Sequence, residues 1–155
     1  MIRNTSFLFI LWTLVFFTHS TAAANPAKQE IQKAYYNWCS SVAKAKGNAQ
    51  EMVQYYAPDA ILLPTLSPEI LLNSNGGLDP YFRQFTSHKN IKCTTEKLIT
   101  RFYGDLVAVN VGLYSFSFIQ KNGKPQTLLA RFTFVYEKHN NHWFIVSHHS
   151  SLRPA

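Results

Sequence analysis

The 155-residue sequence has little acid, cysteine or glycine: eight Asp and Glu stand against fifteen Lys and Arg, with two Cys and six Gly. Each shortage removes a class of protein. Two cysteines are too few for a small fold framed by disulfides. The glycines form one adjacent pair, Gly76-Gly77, and no loop of the kind that cradles a dinucleotide. No nucleophile-elbow pattern surrounds any serine. The net charge of +7 is spread over single lysines with no run of three cations, so the stripe of a nucleic-acid reader is missing. Past residue 24 no apolar run is long enough to cross a bilayer.

What is present is apolar and aromatic. Hydrophobic residues make up 46% and aromatics 15% of the chain, enough for one packed domain at this length. Residues 1–24 have a separate character. Arg3 precedes the apolar run Phe7–Phe17, and Ala22-Ala23-Ala24 follows a short polar stretch. That layout predicts a secretory signal cleaved after Ala24, leaving a domain at 25–155 in a secreted or periplasmic compartment. Eleven helical residues rise only about 16 Å, so no stable membrane anchor is expected. In an oxidising compartment Cys39 and Cys93 are a candidate disulfide. Their bond would close a loop of about 54 residues and stabilise by on the order of 4 kcal/mol. Two buried thiols are the other reading, and the sequence leaves the choice open.

Asn25-Pro26 reads as a cap followed by a first helical residue. Ile31, Tyr35, Trp38, Val42 and Ala45 then recur at helical spacing up to Gly47. A second helix is expected from Asn48 to Pro58, with Met52, Val53 and Tyr56 inward. Residues 60–63 read as a short strand, 64–77 as turns, and Leu78, Tyr81, Phe82 and Phe85 as a short helix to about Thr86. The period then changes to two. Strands are expected at 91–103, 106–120, 126–138 and 142–149, joined through Gly104-Asp105, Asn122-Gly123 and Asn140-Asn141 as an antiparallel meander. Helices followed by a curled sheet make an α+β domain. Strand alternation groups Phe144, Val146, His148 and Ser150 on one face and Trp143, Ile145, Ser147 and His149 on the other. Both faces of the sheet are largely apolar. One is expected to cover the long helix and the other a second copy of the chain.

Three stretches carry a family resemblance: Tyr56–Thr65, Asp79–Phe85, and Ala130–Tyr136 running on to Trp143–Ser151. They resemble the SnoaL-like branch of the nuclear transport factor 2-like superfamily, nearest to bacterial proteins similar to the association domain of calcium/calmodulin-dependent protein kinase II. The resemblance spans nearly all of 26–154. It implies a cone-shaped, cystatin-like fold, with a long helix and two shorter ones wrapped by a curved antiparallel sheet. It also implies a homodimer formed through the sheet. The superfamily holds isomerases, dehydratases, cyclases and binding modules, so fold alone assigns no chemistry. No kinase catalytic motif is present.

An open cone would take a small organic ligand among aromatic walls. Arg131, in the middle of an apolar strand, reads as an anion clamp or as a structural ion pair. The resemblance places an arginine of the pocket at the position of Ser150, which favours the His148–Ser150 face for the interior. Serine there weakens any direct transfer of the relatives' ligand preference. His148 is the candidate catalytic acid/base, and it joins Arg131, Ser150, Tyr35, Trp38, Tyr81 and Tyr114 as candidate ligand-binding residues. Vicinal His148 and His149 do not easily share one ion, and His139 and His142, which flank a hairpin, would need further ligands that no Cys or acid at useful spacing supplies, so no metal is expected, and no cofactor either. No carboxylate lies between Ala60 and Ser67, which disfavours a steroid-isomerase mechanism. The leading expectation is an exported, dimeric cone protein that binds a small acidic or aromatic molecule. The alternatives are an isomerase, dehydratase or hydrolase using His148, and a structural oligomerisation module with a filled cone.

Overall fold

The computed structural model describes residues 26–154, so the expected signal segment at 1–24 lies outside the described residues. The helical spacing forms α1, Pro26–Ala45. Its apolar stripe turns inward: Ile31, Tyr35, Trp38 and Val42 are at most 1% exposed. Burying side chains of this size contributes about 1.5–3 kcal/mol each. Lys46 and Gly47 then take φ of 47° and 86° and turn the chain out of the helix.

A single helical turn, α2 (Gln50–Val53), follows, with the Gln50 N–H donating to Asn48 Oδ1 at 3.2 Å. The chain continues as β1 (Tyr56–Leu63), β2 (Leu71–Leu72), a 3-10 turn at Asn73–Asn75 and α3 (Leu78–Thr86). Four long strands complete it: β3 (Lys89–Tyr103), β4 (Val107–Ile119), β5 (Pro125–His139) and β6 (His142–Leu152). The expected helix through Tyr56 to Pro58 is corrected here, because Tyr56 opens a strand. Pro58 sits where β1 and β6 lose register, between the pairs Tyr56–Ile145 and Ile61–Ser147. A residue without an N–H costs nothing at such an interruption.

All six strands form one sheet in the order β2-β1-β6-β5-β4-β3. β3 to β6 are the expected antiparallel meander. β1 adds to it in parallel with β6. Asn140 and Asn141, at φ of 49° and 62°, make the last hairpin turn. The inner face carries Tyr114, Phe116 and Phe118 of β4 and the alternate residues Leu128 to Tyr136 of β5, all buried against α1 and α3. Val107, Val109, Val111 and Leu113 lie on the outer face and are partly exposed.

Plain alternation fails in β6. Ser147 lies opposite Val135 while Ile145 lies opposite Tyr136, so Val146 is an extra residue in the ladder. This bulge flips the side-chain phase. Ile145 and His148 therefore both point inward, at 1% and 3% exposure. The expected grouping of His148 with Phe144 and Val146 is corrected accordingly.

Cys39 of α1 and Cys93 of β3 are disulfide-bonded, with Cα atoms 5.4 Å apart. Farther along, β3 is irregular between Thr95 and Lys97. It crosses β4 closely at Gly112, where a Cβ would lie 2.0 Å from the Lys97 carbonyl oxygen and 2.7 Å from Phe132 Cζ.

Candidate functional site

A line of hydrogen bonds runs through the cone from α1 to the turn that follows β1. Trp38 Nε1–H donates to the Tyr56 hydroxyl at 3.1 Å. With its oxygen so occupied, Tyr56 directs its own proton to His148 Nδ1, 2.8 Å away. That assigns the imidazole proton to Nε2, which faces the Tyr114 hydroxyl at 3.4 Å. Tyr114 donates in turn to Ser150 Oγ at 2.6 Å, and Ser150 is hydrogen-bonded to Thr65 Oγ1. Every link has a donor and an acceptor, so buried polar atoms here are satisfied.

The surroundings are aromatic. The His148 ring stacks on Phe134 at 3.9 Å between centroids and meets Trp38 edge-on at 5.3 Å. Burial pushes the His148 imidazole down to about 3, with a smaller contribution from His149. Burial also pushes the Tyr56 and Tyr114 hydroxyls well above the ordinary tyrosine value. The whole line is neutral near pH 7. General acid–base catalysis is most effective with a group that titrates near the working pH, and burial holds His148 toward its neutral form.

The Thr65–Ser150 end opens on a cavity of about 20 Å³ walled by Trp38, Leu66, Tyr81, Phe85, Tyr114 and Phe116. This is room for about one water. Outside it lies a groove of about 350 Å³ between the segment following β1 and α3, lined by Pro68, Leu71, Pro80 and His88. Leu66, Tyr81 and Phe85 belong to both walls and separate the two spaces.

The sequence matches the family model described as calcium/calmodulin dependent protein kinase II association domain over residues 27–154. The chain belongs to that association-domain family. A Xanthomonas campestris protein assigned to the same association domain is 35% identical, with 90% of this chain and 99% of that chain covered at a TM-score of 0.75. The hub homology domain of the Chlamydomonas reinhardtii kinase is 23% identical, covering 83% and 99% at 0.66. A Streptomyces avermitilis protein named as a candidate dehydratase of the nuclear transport factor 2-like family is 14% identical, covering 83% and 97% at 0.72. The last two are likenesses of fold. No curated protein matches the chain.

In this association-domain chain the cavity brings together five of the expected residues: Trp38, Tyr81, Tyr114, His148 and Ser150. Two stay apart. Tyr35 is buried on the β3 side, stacked on Phe132 at 5.0 Å and hydrogen-bonded to Thr95 Oγ1 at 3.1 Å. Arg131 is exposed on the outer face, and its Nε donates to Ser151 Oγ at 3.0 Å. It falls between the buried Ala130 and Phe132, so strand alternation turns it away from the cone. The anion clamp expected inside the cone is corrected. Tyr56, Thr65 and Phe85 carry no sequence signal for the site: the spacing predicts a helix through Tyr56, Phe85 falls on the apolar face of a short helix, and Thr65 follows a proline in a turn with no chemical pattern to mark it. Among the described residues no group of three or more His, Cys, Asp or Glu is placed to hold a metal.

Proposed function

We propose that this association-domain chain is an exported, self-associating protein that binds a small organic molecule at the mouth of its cone. The observation that carries the reading is the shared wall. Leu66, Tyr81 and Phe85 stand between an outer groove of about 350 Å³ and the hydroxyls of Tyr114 and Ser150. A volume of that size is within the range of ligand pockets, about 300–1,000 Å³. Rotation of Tyr81 and Phe85 would join the two spaces and expose neutral hydroxyls at the inner end. Arg131 has no part in this site. The neutral, fully bonded His148 weighs against proton-transfer chemistry and favours binding. The Cys39–Cys93 bond supports an oxidising compartment, and hence cleavage of the signal after Ala24.

Self-association rests on a different observation. Val109, Val111, Leu113 and Val135 form a partly exposed apolar stripe on the outer face, and Leu129 there is 45% exposed. A second copy would cover it.

The binding test is a thermal-shift screen of small aromatic and aliphatic acids and alcohols, followed by titration against wild type and Tyr81→Ala. Hits whose affinity changes about fivefold or more in Tyr81→Ala, a difference of about 1 kcal/mol, bear the reading out. A screen without hits, or hits indifferent to Tyr81, refutes it and leaves the structural module.

A further inference from the structure

We propose that the outer face of the sheet carries a second binding site, one for a small tetrahedral oxyanion of the phosphate or sulfate type, built by Arg131, Thr133, His149 and Ser151. The site shares no residue with the mouth groove and stands or falls independently of it.

The register gathers the four side chains. Arg131 of β5 stands opposite Ser151 of β6, and Thr133 stands opposite His149. Arg131 and Thr133 alternate with the buried Ala130, Phe132 and Phe134, so both face outward. All four line one open hollow of about 350 Å³, with Val111 along its β4 side. Ser151 Oγ accepts the Nε–H of Arg131 at 3.0 Å. That bond braces the guanidinium plane and leaves both terminal nitrogens free to donate. Ser151 keeps its own proton for a ligand. Thr133 and His149 make no side-chain hydrogen bond among the described residues. Donors from two strands thus surround one space. They outnumber the two oxygens of a carboxylate and suit a group with three or four.

The charge around the hollow has one sign. β4 and β6 contain no acid, and β5 contains only Glu137, which is held by His139 at 3.3 Å. On β1, the other neighbour of β6, Asp59 lines a different hollow with Gln50. On β3, Glu96 is paired with Arg153 at 2.6 Å. Lys97 follows it, opposite Leu113. Neither Arg131 nor Lys97 takes part in an ion pair among the described residues, where the pairs are Arg83–Asp79, Lys138–Glu30, His139–Glu137 and Arg153–Glu96. An unneutralised positive charge in a hollow attracts anions, and the planar arginine fork matches an oxyanion where a lysine acts only as a point charge. Val111 belongs both to the hollow and to the apolar stripe. A bound anion would therefore sit at the margin of the face proposed for a second copy.

The experiment is a heteronuclear NMR titration of the disulfide-bonded protein with sodium sulfate and with sodium acetate. Ionic strength is held constant with NaCl so that screening is equal, and sedimentation is run on the same samples. Sulfate is expected to shift the amide signals of residues 131–133 and 149–151 saturably, and to bind about fivefold or more tightly than acetate. Arg131→Lys keeps the charge and loses the fork, while Thr133→Val keeps the shape and loses the hydroxyl. Each should weaken sulfate binding about fivefold or more. Lys121→Gln combined with Lys124→Gln, a larger loss of charge at the β4–β5 turn, should leave it unchanged. Phenyl sulfate then separates the two sources of the group: tighter binding than sulfate assigns an organic monoester, equal binding the free ion, and both bear the site out. Absence of saturable shifts at these residues overturns the proposal, as does a lysine pair that matters as much as Arg131. Acetate binding as tightly as sulfate overturns the ligand class. Arg131→Lys that leaves sulfate binding intact and turns a dimer into a monomer also overturns it, since the arginine would then serve contact between copies.

Discussion

His148 donates or accepts at both ring nitrogens, stacks on Phe134 and meets Trp38, and all of these contacts suit the neutral imidazole. Folding lowers its proton affinity from the ordinary histidine value to about 3. Between those values the unfolded chain binds more protons than the folded one, so stability rises with pH there. Its contribution is fully present above about pH 6.5 and is lost as pH falls toward about 3. The slope reaches about 1.4 kcal/mol per pH unit. Urea unfolding at pH 7, 5 and 4 should show this decline, and His148→Phe should flatten it while lowering stability at pH 7 by about 1–3 kcal/mol, because Tyr56 loses its acceptor. A slope unaffected by the substitution would assign the acid sensitivity to other groups. The residue types of the site were readable in the sequence, His148 and Ser150 among aromatics. Their charge state was not, because it depends on burial.

At the scale of elements, two contacts fix α1 and the sheet edge. The Cys39–Cys93 bond spans 54 positions, and the chain-entropy model gives such a crosslink about 4 kcal/mol. Reduction, or Cys39→Ser with Cys93→Ser, is expected to lower Tm by on the order of 10 °C. An unchanged Tm would mean that packing alone holds α1 on β3. Gly112 is the second contact. Its missing Cβ leaves room for the Lys97 carbonyl, and Gly112→Ala forces backbone apart. A loss of more than about 2 kcal/mol in denaturant unfolding is expected, and a loss below about 0.5 kcal/mol would show that the edge strand yields freely. Helical spacing in α1 and alternation in β3 to β5 were legible because each follows from local geometry. The β6 bulge and the β1–β6 pairing were not, since both arise from long-range register.

For the molecule as a whole, the apolar outer face is the surface on which a second copy would sit. If a second copy does, a charge at its centre should separate the copies. Val111→Lys and Leu113→Asp are expected to convert a dimer into a monomer in sedimentation at micromolar concentration, with the α1 core intact by circular dichroism. Wild type sedimenting as a monomer would remove the self-association reading. Variants that remain dimeric would move the interface elsewhere.

By itself the sequence determined the class of the fold, the inward stripe of α1, the alternating faces of three strands and the family. These follow from spacing along the chain, which is a property of neighbours. Tertiary structure decided which way His148 faces, that Arg131 points outward from the cone, and that the interior holds space for about a water while a larger groove lies outside. Register, bulges and packed volume depend on residues far apart in sequence, and only the closed chain brings them into contact.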